Sequence, residues 1–452
     1  MAGGIWTSQN KVQPGVYINT KSSGNLAASV GEKGIVALAE PLSWGPVGMI
    51  QEIIPGEDLR KFIGYDVTHA KATFLREMMK GSDTTPGPIK ILLYRPTGTG
   101  GEKATATIGA VTVTARYEGE RGNDITVIVQ ENPDSENVYD VETVVDGSIA
   151  DTQSVTDISK LTGNAWVSFS GTGTVFTETA GTALTGGGDP TVAASDYAAF
   201  LTALEPCTFD VLIYDGKEST VIQAYAAFVK RISNNVGRKC QAVMAEAEAC
   251  NSEWVISVNN GVKLSDGTIL TPQQATWWLG GAEAGALYND SLTYAQYPDA
   301  AESYPKLSDT EITSAIQAGS IVFIDSFGTT KVCTDINTLT SFTVEKGQEY
   351  SKNRVMRVLN QFCNDVYKQF SLYYIGKTDN NDTGRNLLKA WIVGYLNEMQ
   401  ANSGVQNFSP DDVTVKPGNT VDSVVIDVAV QPVDSIEKIY ISVAVSVNTE
   451  AE

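Results

Sequence analysis

Ile35-Val-Ala-Leu-Ala39 is a short unbroken apolar run, and Ile89-Lys-Ile-Leu-Leu-Tyr94 answers it after two segments of helical spacing, Asp58–Ile63 and Ala70–Lys80. Apolar runs of strand length that alternate with helices belong to a sheet covered on both faces, because each side of every strand must then be apolar. The same grammar resumes downstream. A helix over Tyr197–Leu204 precedes Phe209-Asp-Val-Leu-Ile-Tyr214, and a helix over Glu218–Ser233 precedes Cys240-Gln-Ala-Val-Met244. Trp254-Val-Ile-Ser-Val258, a helix over Pro272–Leu287 and Ile321-Val-Phe-Ile324 follow. Thr271 before Pro272 reads as an N-cap followed by a first helical residue. Gly281-Ala-Glu-Ala-Gly285 in that helix reads as a stripe for close packing.

Between Pro96 and Pro190 the grammar changes to Thr, Gly and Val with period-2 strings such as Ala104-Thr-Ala-Thr-Ile108 and Ile125-Thr-Val-Ile-Val129, which is all-β patterning. Fourteen acidic and four basic side chains fall in this segment. Gly- and Pro-rich sequences at both ends read as flexible boundaries of an inserted domain. The expected organisation is therefore an arm at 1–30, an α/β middle domain from 31–95 and 191–334, an inserted β-rich domain at 96–190, and a C-terminal domain at 335–452. The last has two long helical patterns, Ser351–Tyr373 and Thr383–Met399, and then strands at Val421–Val430 and Ile436–Val447. The fold class is a multidomain α/β (α+β) protein with a mixed-sheet core. In Ile439-Tyr-Ile-Ser-Val-Ala-Val-Ser-Val447 large apolar residues alternate with mostly small ones, and such a terminal strand needs a sheet to complete.

Over 452 residues, 53 acidic side chains against 32 basic ones leave a formal charge of −21, which opposes nucleic-acid binding. No apolar run approaches the ~18 residues of a membrane helix. The first residues show no basic region followed by an apolar core, so the sequence predicts a soluble product made in a cytoplasm, with no membrane insertion. Five dispersed cysteines read as buried free thiols.

Little speaks for catalysis. The single histidine, His69, has no nucleophile grammar beside it. Tyr374-Ile-Gly-Lys-Thr378 copies the tail of a P-loop, but Ser371 stands where the first Gly belongs and a helix leads into it. Asp379-Asn-Asn-Asp-Thr-Gly384 begins like a calcium loop, but Ala390 occupies the position of the bidentate carboxylate. The sequence predicts no cofactor and no metal. From Ser351 to Lys389, seven basic residues (Lys352, Arg354, Arg357, Lys368, Lys377, Arg385, Lys389) face three acidic ones, a basic island that reads equally as a solvated helix face or as a docking surface for an acidic partner. An acidic carbohydrate-active enzyme or adhesin is the alternative reading, suggested by acidity, tyrosines and the β-rich segment.

An ordered set of segments resembles the contractile tail sheath proteins of bacteriophages and of phage-tail-like bacteriocins: Pro14-Gly-Val-Tyr17, Val258-Asn-Asn-Gly-Val262, Ala282-Glu-Ala-Gly285, Ile336-Asn-Thr-Leu-Thr340, Ser351-Lys-Asn-Arg-Val-Met-Arg357, Tyr374-Ile-Gly-Lys377 and Gly384-Arg385. The resemblance implies a non-enzymatic subunit of a virion or tail-like particle, assembled in the host cytoplasm. Its copies stack as hexameric rings around an inner tube protein, meet baseplate and tail terminator proteins, and contract to drive the tube through an envelope. It also implies terminal strands exchanged between subunits, here carried by Val12, Val16, Tyr17 and Ile18 at one end and Ile439, Ile441, Val443, Val445 and Val447 at the other. The inserted domain would face outward, and the helices carrying the seven basic residues would face the tube.

Overall fold

The computed structural model describes residues 2–4, 10, 12–19 and 33–445. The apolar runs pair with one another. Ser320–Ile321, Val255–Val258, Gln241–Ala245, Val211–Tyr214, Ile35–Ala39 and Lys90–Tyr94 lie parallel in that order, and Ile50–Ile53 closes the far edge antiparallel to Lys90–Tyr94. Alternate residues of each strand go to opposite faces, as the two-residue period requires. Val36, Leu38, Ile91, Leu93, Val211 and Ile213 meet the helices Thr73–Met79 and Pro272–Gly285. Ala37, Ala39, Leu92, Tyr94, Leu212 and Tyr214 meet the helices Ala194–Leu204 and Ser219–Arg231 and the first turns of Asn353–Tyr373.

Thr271 caps Pro272–Gly285 as expected, its Oγ1 accepting from the Gln274 N–H while Gln274 accepts from the Thr271 N–H at 3.0 Å. The glycines of this helix allow backbone contact. A Cβ on Gly281 would stand 1.9 Å from the Met78 carbonyl oxygen, and one on Gly285 2.1 Å from that of Pro86. The expected helix at Asp58–Ile63 is a single turn over Arg60–Ile63. Ile321–Ile324 is not one strand. Ser320–Ile321 joins the central sheet, while Phe323–Ser326 turns into a hairpin with Thr329–Val332, because Asn260 clasps both the N–H and the carbonyl of Phe323 at the break.

Between Lys90–Tyr94 and Ala194–Leu204 a four-stranded sheet (Ser148–Val155, Tyr139–Val145, Ile125–Glu131, Thr179–Ala183) faces a three-stranded one (Val167–Ser170, Val111–Ala115, Thr105–Ile108). Their inward residues, Val111, Val113, Ile125, Val127, Val129 and Val141 among them, share one core that also receives Trp44. The segment's ends are not loose linkers, for Thr99 bridges to Thr191 and Glu102 to Gly188. Two buried arginines fasten its base to the central sheet. Arg95 donates to the carbonyls of Gly45 and Glu118, and Arg121 donates to the Gly64 carbonyl and grips Asp146. The buried Arg121 guanidinium also lies over the Tyr65 ring.

Candidate assembly surfaces

Asn353–Tyr373 and Asp382–Ala401 present apolar faces to each other, and Val358, Phe362, Val366, Phe370, Ile392, Leu396 and Met399 form a core of their own. The hairpin Val413–Pro417/Val424–Val428 covers it through Val413, Val415 and Ile426. The turn between the helices is structural. Asn381 accepts from the Gly384 N–H as the N-cap, and Asn380 donates to the carbonyls of Val421 and Ser423, tying the helix turn to the hairpin turn. The P-loop-like Lys377 donates to the Leu372 carbonyl. His69 likewise caps a 3-10 turn through Nδ1 and stacks on Tyr65. The cysteines are free, Cys240 and Cys363 buried and the other three partly so.

This unit is joined to the central one by a dense polar lock that the sequence reading missed. Arg357, 1% exposed, forms ion pairs with Glu283 of the Pro272–Gly285 helix and with Asp335, and it donates to the Asp290 carbonyl at 2.9 Å. Asn353 donates to Asp335 and to the Ile336 carbonyl, each at 2.9 Å. Asn337 donates to the Tyr350 carbonyl, and Thr338 exchanges hydrogen bonds with Ser252. Burial pushes the Glu283 carboxyl pKa up while Arg357 pulls it down. Burial opposes the charge of Arg357 too, but its two carboxylate partners more than offset this and raise its pKa.

Arg357 is thus removed from the tube-facing candidates, since its guanidinium is spent inside the fold. The other six spread apart. Lys368 and Lys377 are exposed, while Lys352, Arg354, Arg385 and Lys389 are half-buried. Lys352 pairs with Glu437, Arg385 with Asp382, and Arg354 reaches toward the Ser403 carbonyl.

The two chain ends behave differently. Ala2–Gly4 and Gly15–Tyr17 pair in parallel within the chain, and Val16 is buried on the helix core. Tyr17 and Ile18 are half-buried beside it, and Val12 is 96% exposed. Beyond Val433, no residue up to Val445 belongs to a strand. The expected strand Ile436–Val447 is therefore absent from its described part, because a strand needs a ladder partner and this chain offers none there; Val447 lies outside the described residues. Ile439, Ile441, Val443 and Val445 are 74–86% exposed, and Tyr440 on the other side is 91% exposed. Among the described residues of the extension, only the root is held by side-chain contacts. Glu437 accepts from Thr293 and Thr334 and pairs with Lys352, and the Ser435 hydroxyl meets that of Ser291 at 3.2 Å. Glu437 escaped the sequence reading because one carboxylate ahead of an apolar alternation carries no signal of its own.

Matches to known families cover most of this frame. The phage tail sheath protein β-sandwich domain matches residues 99–189, the phage tail sheath protein central domain 191–338, and the phage tail sheath C-terminal domain 345–446. A sheath tail protein of Desulfitobacterium hafniense is 43% identical, with a TM-score of 0.84 over 96% of this chain and 100% of the relative. The chain belongs to the phage tail sheath protein family. Phage-like element PBSX protein XkdK of Bacillus subtilis (strain 168) is 34% identical to this sheath protein over 94% of the chain and 96% of the relative. The helical sheath of the anti-feeding prophage in its contracted state shares the fold at 13% identity, with a TM-score of 0.57 over 96% of this chain and 99% of that one. The role that goes with the family is structural, in a phage tail or tail-like particle. Among the described residues no group of three or more His, Cys, Asp or Glu is placed to hold a metal, and no helix is long and apolar enough to cross a membrane.

Proposed function

We propose that this sheath protein polymerises with copies of itself as stacked hexameric rings around an inner tube, bounded by baseplate and terminator proteins, and that the assembly shortens to drive the tube through a bacterial envelope. The observation that carries this reading is the C-terminal extension, anchored at Glu437 and then exposed on both sides through Val445. Adding such a segment to a neighbour's sheet edge supplies its missing main-chain hydrogen bonds and covers one row of apolar side chains. Burying an Ile or Val side chain contributes about 1.5–3 kcal/mol, whereas ordering backbone costs about 1–2 kcal/mol per residue. The side chains alone therefore roughly cancel the ordering cost, and the segment binds only where a ladder forms. The likeness in fold to a contracted helical sheath supports the shortening step.

In this reading the Ala2–Tyr17 arm contributes to the same mesh, the acidic β-sandwich faces outward, and Lys368 and Lys377 lie toward the tube, where exposed ion pairs of about 0–1 kcal/mol each suit contacts that must later break. Removing Asp434–Glu452 should leave a folded protein that forms no tubular polymers. Unaltered cylinders in electron micrographs of that truncation would overturn the proposal. Charge reversal at Lys368 and Lys377 should weaken assembly on a tube more than self-polymerisation, and equal effects on both would remove the tube assignment.

A further inference from the structure

We infer that the tip of the Phe323–Ser326/Thr329–Val332 hairpin, together with Tyr294, is a docking knob for a second copy of this chain, an inference that rests on the self-assembly proposed above. Nine described residues other than glycine adopt positive φ, and five of them are Asn or Asp, the types that tolerate it. The two aromatic ones are Tyr294 (φ 62°) and Phe327 (φ 50°).

Phe327 and Gly328 form the two-residue loop between Ser326 and Thr329, both at positive φ, a geometry that favours Asn-Gly or Asp-Gly. Phe327 meets that strain with no return from its own chain, for its side chain is fully exposed. The base of the hairpin is firm, with Phe323 and Val332 buried and Asp325 accepting from the Ser303 N–H at 2.7 Å and from the Thr330 hydroxyl at 3.1 Å. The ring is therefore held out on a rigid support.

Tyr294, 53% exposed, stands at the base of the same hairpin. Its N–H donates to the Val332 carbonyl, and the Lys331 ammonium lies 5.9 Å from its ring centre. Thr293, the next residue back, is where Glu437 anchors the C-terminal extension. Tyr294 thus adjoins the root of the C-terminal extension, whose described residues beyond Val433 form no strand, and one neighbouring copy can cover both the extension and the hairpin. Lys331 on the hairpin suits the acidic surface that a chain of net charge −21 presents. Exposed aromatic anchors of this kind carry a large share of interface energy.

The test is sedimentation velocity of the full chain over a concentration series, with thermal unfolding of each variant. Phe327→Asn places a residue suited to positive φ at the tip, so the unfolding temperature should hold or rise while self-association weakens about tenfold or more, the loss expected for one buried phenyl ring. Tyr294→Asn should act in the same direction. Self-association of Phe327→Asn equal to the parent's would overturn the inference, as would a parent that stays monomeric at high concentration. A variant that associates normally but binds an inner tube or baseplate protein poorly would also overturn it, since the occupant would then not be a second copy. If association depends on Phe327 while micrographs show no cylinders, the docking knob stands and the sheath assembly proposal falls.

Discussion

Replacing Arg357 by Met keeps most of the side-chain volume but leaves Glu283 and Asp335 facing each other without their shared cation. Both carboxylates are 1% exposed. Asp335 retains the Leu292 N–H and Asn353 as donors, whereas Glu283 already has one oxygen without a partner and loses its guanidinium contact. Breaking one side of a buried ion pair costs about 3–5 kcal/mol. The loss falls on the junction between the Asn353–Tyr373 and Pro272–Gly285 helices, so the amides of Asn353–Tyr373 should exchange about two to four orders of magnitude faster, at ~1.4 kcal/mol per tenfold.

The variant also gains a pH signature. With Arg357 gone, burial raises the Glu283 pKa against only the weaker pull of Lys33. A carboxyl whose folded pKa lies above its unfolded one stabilises the fold at low pH, and that contribution is lost as pH rises above the ordinary carboxylate range. The exchange defect should therefore be larger at pH 8 than at pH 5.5. Adding Glu283→Gln should relieve part of it, so that the double variant is less damaged than the two single effects added together. Exchange within tenfold of the parent at both pH values would refute the assignment of this triad as the lock.

Three further outcomes follow from the packing. Thr271→Ala removes the N-cap of Pro272–Gly285 and should lower stability by about 1 kcal/mol in urea titrations, with Thr271→Ser restoring it. Gly281→Ala should destabilise by about 1–3 kcal/mol, because its methyl would meet the Met78 carbonyl 1.9 Å away; a neutral effect would show that the two helices part easily. Glu40 and Asp215 follow adjacent parallel strands at matching positions, burial raises the pKa of both, and Trp277 donates to Asp215 at 2.7 Å. Stability should therefore fall as pH rises above the ordinary carboxylate range, and Glu40→Gln should flatten that slope in unfolding measurements from pH 5 to 9.

The strands of the central sheet were legible because a doubly covered parallel strand must be apolar at every position, which no other element of that length requires. The β-sandwich was legible from its period of two. Its fastening to the sheet was not, because Arg95 and Arg121 look like surface cations until the carbonyls and carboxylates around them are placed. Arg357 misled for the same reason. Lys352 and Arg354 stand beside it at the start of the helix, and nothing local tells which of three cations turns inward toward Glu283, far away in the sequence. The resemblance implied Val16 only as part of an exchanged strand, and no local pattern shows that its apolar side packs on a helix beyond residue 353.

Periodicity, composition and the ordered motifs thus determined by themselves the kinds of element, the change to β grammar at Pro96 and the terminal apolar alternation, since each follows from interactions a few residues apart. Tertiary structure alone decided which of those elements is finished within the chain. Val16 finds a core while Ile439 to Val445 find none, because burial depends on surfaces brought together from distant parts of the sequence, and no local pattern encodes their arrangement.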